Sequence, residues 1–409
     1  MLVLTMGTWF AASAVAPALR QEWVLSDVQA ALLTTSVQLG FVAGALGSAL
    51  LNLPDVLDAA RLAAASAVLA AAATAALTLI AGAAWAIGLR FVTGVALAGV
   101  YPVGMKLANS WYGSRRGFAL GILVAALTLG SAMPQLVGGA LAARWRAGLA
   151  VAAAMSLAGA VLAVTLIRVG PCTSRAVRFE PSYVVTLVRR REARLASLGY
   201  LGHMWELYAT WTWLPAILAA ALARYGSHWP RTSISVVSFA VIGVCGAAGC
   251  LVAGRAGERV GQARVAAVAM TVSGTCCLAV AVLFGAAPPL LVAVMAVWGA
   301  AVIADSAMFS ACLARVVDPR FVGTALTMQT AAGFLLTTLT VQGLPLLAAA
   351  AGWRVAVAAL GIGPLLGAGA MRRLSVPRRA LSHRSPPRPV ETDAPPHLHE
   401  PASHEGDLS

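Results

Sequence analysis

Apolar residues run along this chain in long blocks, each closed by a short polar or basic break. A helix needs about 20 residues to cross the hydrocarbon core of a bilayer. Backbone groups inside a bilayer must bond within their own segment, so each block reads as a helix. The pattern predicts twelve spans, at 1–19, 26–51, 62–82, 85–108, 117–140, 148–169, 195–223, 233–253, 263–284, 288–313, 321–349 and 353–371. Ser26-Asp-Val-Gln29 has the form of a capping box opening span 2. Asp318-Pro319 sets a cap and an early proline ahead of span 11.

Span 7 departs from the pattern. Between Tyr200 and Pro215 it reads Y-L-G-H-M-W-E-L-Y-A-T-W-T-W-L-P. At helical spacing Tyr200, His203, Glu206, Thr210 and Trp213 make one polar and aromatic stripe. A carboxylate near the middle of a span costs at least ~2.5 kcal/mol on insertion scales, so it faces a cavity or a partner. Both readings stand here: a working site, or a Glu bonded inside the bundle.

Composition settles the class. The 409 residues are 60% hydrophobic and 11% charged. Soluble domains are about 45–50% apolar and about 25% charged, so the chain is a polytopic membrane protein with the bilayer as partner. The net charge of +14 sits in short loops, which fits membrane orientation and excludes a nucleic-acid face. Of the Lys and Arg residues, 22 fall on one set of loops and the tail, and 6 on the opposite set. That bias predicts both termini and loop 169–194 in the cytoplasm of a cell with a plasma membrane. No cleavable signal is evident; the apolar N-terminus reads as the first span. It starts at Met1 with no arm before it, so an upstream start or a truncation is expected.

Cys172, Cys245, Cys250, Cys276, Cys277 and Cys312 form no C-x-x-C pair and are expected to be apolar fillers. His397, His399 and His404 are expected to be solvated, so no metal site is assigned. The Pro-, Arg- and acid-rich tail at 372–409 is expected to be disordered. The basic linker 169–194 divides the spans six and six, giving bundles at 1–168 and 195–371. Internal repetition supports the halves. Gly117-Phe-Ala-Leu120 and Gly323-Thr-Ala-Leu326 are offset by 206, and Thr8-Trp9 and Thr210-Trp211 by 202.

Between spans 8 and 9 the chain reads Gly254-R-A-G-Glu258-Arg259-V-Gly261-Q-A-Arg264. This is similar to the loop motif G-x-x-x-D-R-x-G-R-x-R of the major facilitator superfamily of secondary transporters. Glu258 stands in the Asp place and Gln262 in one Arg place. Physically, the glycines allow a tight turn, and the acid pairs with arginine as a latch between conformations. The matching loop Asn52-L-P-Asp55-V-L-Asp58-A-A-Arg61 keeps acids and a base without the glycines. Span 4 has Arg90-F-V-T-Gly94, resembling a family signature tied to proton coupling or an anionic substrate. Span 5 has Gly130-S-A-M-Pro134-Q-L-V-Gly138-Gly139, resembling a glycine-proline motif of exporters, with close packing through small residues as the plainer reading.

The resemblance covers 1–371 and implies an all-α membrane protein, twelve helices in two pseudo-symmetric six-helix halves, with spans 1, 4, 7 and 10 around a central cavity. Trp298, Asp305, Ser306 and Phe309 come from span 10, Trp9 and Ser13 from span 1, and Arg90 and Tyr101 from span 4. Glu206 or Asp305 is expected to carry the coupled proton, with His203 sharing it. A fixed Arg90–acid pair is the structural alternative. Of Trp205, Trp211 and Trp213, only Trp213 is expected to touch solute. Gln38, Gln135, Gln329 and Gln342 are in-span amides that bond across helices or to solute.

The expectation is a secondary active transporter of a small organic solute, proton-coupled, working by alternating access. It needs no cofactor, works as a monomer and is not an enzyme, since no nucleophile–base pair or ATP-binding loop occurs. Two alternatives stay open. Efflux of amphipathic drugs by proton antiport is favoured by the span-5 motif and the aromatics. A non-transporting sensor of the same fold would be expected to carry a folded output domain.

Overall fold

The computed structural model describes residues 1–111, 116–141, 144–171, 180 and 183–375. Arg115, Cys172, Arg175, Arg178 and the tail beyond 375 lie outside the described residues.

Among those residues the chain is helical throughout, and twelve helices make the frame. They are α1 (Leu2–Trp23), α2 (Asp27–Leu50), α3 (Ala59–Ala76), α4 (Ala83–Ala108), α5 (Arg116–Ala140) and α6 (Trp145–Leu166). Then follow α7 (Arg191–Tyr225), α8 (Arg231–Val260), α9 (Gln262–Val282), α10 (Pro288–Val316), α11 (Val322–Ala351) and α12 (Trp353–Ser375). Eleven are long and apolar enough to cross a membrane by composition alone. The twelfth, α7, is 35 residues long and carries His203 and Glu206.

The predicted signals act locally as expected. The Ser26 hydroxyl accepts from the Gln29 amide at 3.2 Å, and the Gln29 side chain returns to the Ser26 amide at 3.0 Å, a complete capping box. Asp318 accepts from the Arg320 amide at 2.9 Å and starts a 3-10 turn, Pro319–Phe321, ahead of α11. Asp58 caps α3 through the Arg61 amide at 2.9 Å.

Three elements differ from the sequence reading. The stretch Gly254–Val260 is helical, so α8 runs through most of the expected loop. Gly261 alone makes the turn to α9, at φ +95°, a conformation glycine adopts without strain. The linker 169–194 also holds structure: Val184–Arg189 forms a short helix, Leu187 joins the core, and α7 begins at Arg191. The Tyr183 hydroxyl there accepts from the Asp318 amide at 3.1 Å. Finally, Arg372–Ser375 continue α12, so the helix enters the expected tail.

The two halves repeat one packing device. In the first, a Cβ on Gly94 of α4 would run into the Val37 carbonyl of α2, and one on Gly40 into the Phe91 carbonyl. In the second, a Cβ on Gly299 of α10 would meet the Val241 carbonyl of α8, and one on Gly249 the Ala300 carbonyl. Glycine at these crossings lets two backbones touch, the main source of attraction where lipid removes the hydrophobic drive. Gly94 and Gly299 are 205 residues apart and Val37 and Val241 are 204 apart, close to the offsets of the sequence repeats.

The halves meet along α2 with α11 and α5 with α8. Helix α5 serves both sides. Gly130 and Gly138 pack it on α1, where added Cβ atoms would stand 2.9 Å from Val3 Cα and 3.0 Å from Ala14 Cβ. Its Gly121 faces α8, where a Cβ would lie 3.4 Å from Gly254 Cα. Helix α8 carries a π-helical segment, Ala240–Cys245, on this interface, and a Cβ on Gly243 there would be 3.0 Å from Ala132 Cβ of α5.

Candidate functional site

Helix α7 divides the site into two compartments. At 3.6 residues per turn, Glu206 and Tyr208 stand about 200° apart around it. His203 and Glu206 face α9 and α10, inside the second half. Tyr208 and Trp211 face α1, across the seam between halves.

On the inner face, Glu206 Oε1 accepts from Ser273 Oγ at 2.7 Å, Cys277 Sγ at 3.1 Å and Trp298 Nε1. Two donors come from α9 and one from α10, so one carboxylate ties three helices. A turn earlier, His203 Nδ1 stands 2.8 Å from Asp305 Oδ1, and its Nε2 stands 3.1 Å from Ser306 Oγ. Asp305 is the one residue between two helical segments, Pro288–Ala304 and Ser306–Val316. Glu206, His203 and Asp305 are all buried. The ring therefore spans a carboxylate at Nδ1 and a hydroxyl at Nε2, so Nδ1 is the nitrogen that faces Asp305.

Arg90 does not meet an acid. Its side chain is fully buried and donates to three backbone carbonyls: Leu33 at 3.1 Å, Thr8 at 2.7 Å, and Trp9. The Arg90–acid pair, the structural alternative in the sequence, is not formed among the described residues. The guanidinium has a fixed fork of donors and no acceptor, and helices α1 and α2 supply the carbonyls that fill it. Its effect is to hold the backbone of Trp9.

On the seam, rings from four helices pack together. Trp9 of α1 lies 5.1 Å from Phe41 of α2, 5.5 Å from Tyr208 and 5.4 Å from Phe334 of α11, centroid to centroid. Trp211 meets Phe10 edge-on at 5.4 Å and Tyr208 at 5.5 Å. Nearby, Gln342 Nε2 donates to Thr35 Oγ1 at 3.0 Å, a polar link between α11 and α2.

The sequence stripe thus separates. Thr210 Oγ1 donates to the Glu206 carbonyl within its own helix at 2.9 Å. Trp213, the indole expected to touch solute, donates to the Val341 carbonyl at 2.9 Å and packs on Trp353. Tyr200 packs on Phe309, and its ring closes on Gly333 of α11. Tyr101 opens the second segment of α4 and is half-buried. The seam residues that the stripe missed are Tyr208 and Trp211. A signal was available: Thr210-Trp211 repeats Thr8-Trp9, and Tyr208 lies one turn before Trp211. Of the latch residues, Gly254 is buried at the α5 contact, while Glu258, Arg259 and Arg264 are exposed around the Gly261 turn. Gly130, Pro134, Gly138 and Gly139 lie in α5, with Gly130 and Gly138 against α1 as described.

Among the described residues, no three His, Cys, Asp or Glu side chains gather as metal ligands. Comparison with curated proteins finds no match. Among solved structures, a variant of the nucleoside transporter NupG superposes with a TM-score of 0.67 at 15% identity, covering 91% of this chain and 98% of that one. The family model described as Major Facilitator Superfamily matches residues 1–226, more than half of the sequence. With the twelve helices, the paired halves and the seam along α2–α11 and α5–α8, this places the fold: the chain belongs to the major facilitator superfamily.

Proposed function

We propose that the protein is a proton-coupled secondary transporter of a small organic solute, working by alternating access between its two halves. The observation that carries this reading is the buried acid pair of the second half. Glu206 of α7 is held by three hydrogen bonds from α9 and α10, and Asp305 of α10 by its contact with His203 of α7. Acids inside a span are costly and mark proton and ion paths. A proton arriving on Asp305 removes the charge that holds His203 at the break in α10, which frees the Ser306–Val316 segment to shift. Among the described contacts, the halves meet through small residues, aromatic rings and the Gln342–Thr35 hydrogen bond, a seam suited to parting and closing.

The 22-to-6 distribution of basic residues supports both termini facing the cytoplasm of the plasma membrane. The likeness to a nucleoside transporter at 15% identity carries the fold and does not set the solute.

The test uses the full chain in proteoliposomes with an imposed pH gradient and a panel of radiolabelled solutes. Accumulation of a solute against its gradient, collapsed by a protonophore, is the expected result. Correctly folded protein that moves no solute under any gradient would favour the sensor reading instead.

A further inference from the structure

The ring cluster on the seam holds polar atoms with nothing to bond. The indole N–H groups of Trp9 and Trp211 are buried and have no hydrogen-bond partner among the described residues. The same is true of both side-chain polar atoms of Gln38, which sits one turn before Phe41 on α2 and is fully buried. Phenylalanine at 9 and 211 would fill much of the same volume and leave no donor stranded. The two indoles also stand in repeated sequence contexts, Thr8-Trp9 and Thr210-Trp211, one in each half. They meet within one cluster, linked through Phe10 and Tyr208.

Among the described residues, no charge is directed at this cluster. The Arg90 guanidinium is taken up behind Trp9 by three carbonyls, and the acids lie on the opposite face of α7. Flat aromatic faces, stranded N–H donors and one amide with a donor and an acceptor make a particular offer. They stack a flat π system and bond the edge of its ring.

We infer that Trp9, Trp211, Tyr208 and Gln38 form the solute site, and that its solute is a neutral, planar heteroaromatic molecule with hydrogen-bonding atoms on its edge. This rests on the transport reading and adds the substrate class. Solute enters as the halves part, replacing ring–ring contacts with ring–solute stacking and giving the indoles their acceptors. Arg90 acts as a positioning residue that fixes Trp9.

The experiment measures equilibrium binding to the purified full chain by isothermal titration. Four probes are used: adenosine and caffeine as neutral heteroaromatics, glucose as a neutral polyol, and benzoate as a charged aromatic. Binding of adenosine or caffeine, with none of glucose or benzoate, is expected. Trp9→Phe and Trp211→Phe keep the ring and lose the donor, and each is expected to raise Kd about tenfold, the scale of one hydrogen bond. Thermal melting of each variant confirms that it is folded. Binding of glucose or benzoate in preference, binding of none of the four, or unchanged Kd in both Phe variants would overturn the assignment. Gradient-driven flux of some other solute in the proteoliposome assay would leave the transport reading standing while the solute class fell.

Discussion

Asp305 Oδ1 lies 2.8 Å from His203 Nδ1, at the single residue where α10 interrupts its helix. Breaking a buried pair from one side strands the other charge, at a cost of about 3–5 kcal/mol, whereas replacing both partners with apolar groups is often neutral. His203→Leu is therefore expected to lower the melting temperature of the purified protein, and His203→Leu with Asp305→Leu to recover most of the loss. A double-variant loss equal to the sum of the His203→Leu and Asp305→Leu losses would show that the two side chains are not coupled.

Glu206 makes a related prediction with a different sign of control. Glu206→Gln retains a carbonyl oxygen that can accept from Ser273, Cys277 and Trp298. Glu206→Ala removes the acceptor of all three, and each buried donor left unmade costs about 1–3 kcal/mol. Thermal melts should place the Ala variant well below the Gln variant. Flux driven by a pH gradient should fall in both.

Glycine packing gives a prediction for the frame. Gly88 and Gly94 share α4, yet nothing lies within 4 Å of a Cβ built on Gly88, while one on Gly94 collides with the Val37 carbonyl. Gly88→Ala is expected to be neutral or to stabilise by up to about 1 kcal/mol, the helix-interior preference for alanine. Gly94→Ala should push α4 off α2 and lower expression and melting temperature. Similar behaviour of the two variants would contradict the close crossing.

Movement of the halves is testable on the α5–α8 seam. Gly121 and Gly254 approach closely enough for a disulfide between cysteines placed there. In a cysteine-free background, Gly121→Cys with Gly254→Cys should cross-link on mild oxidation, stop transport, and recover on reduction. Full transport by the cross-linked protein would show that this seam stays closed throughout the cycle.

Much of this was legible in the sequence, and the reasons divide cleanly. The span count, the halves and the caps are local or periodic properties, written in apolar blocks and in Ser26, Gln29, Asp58 and Asp318. That His203, Glu206 and Asp305 are unusual was legible too, because ionisable groups are rare inside spans. Their direction was not. A one-dimensional stripe places Tyr200, His203, Glu206, Thr210 and Trp213 on one side, but α7 packs against neighbours on several sides. The partners of Arg90 were hidden for a similar reason: three backbone carbonyls, invisible as sequence signals, satisfy it. The glycine crossings were legible only afterwards, since a glycine in an apolar block is also an ordinary filler until the opposing carbonyl is located.

The most direct test of the account separates solute movement from proton coupling in one variant. Asp305→Asn keeps a polar side chain beside His203 and removes the titrating acid. In proteoliposomes this variant is predicted to exchange solute at near the parental rate in counterflow, and to lose accumulation driven by a pH gradient. Accumulation that persists in Asp305→Asn, or loss of both activities in a protein that melts normally, would contradict a proton site distinct from the solute site.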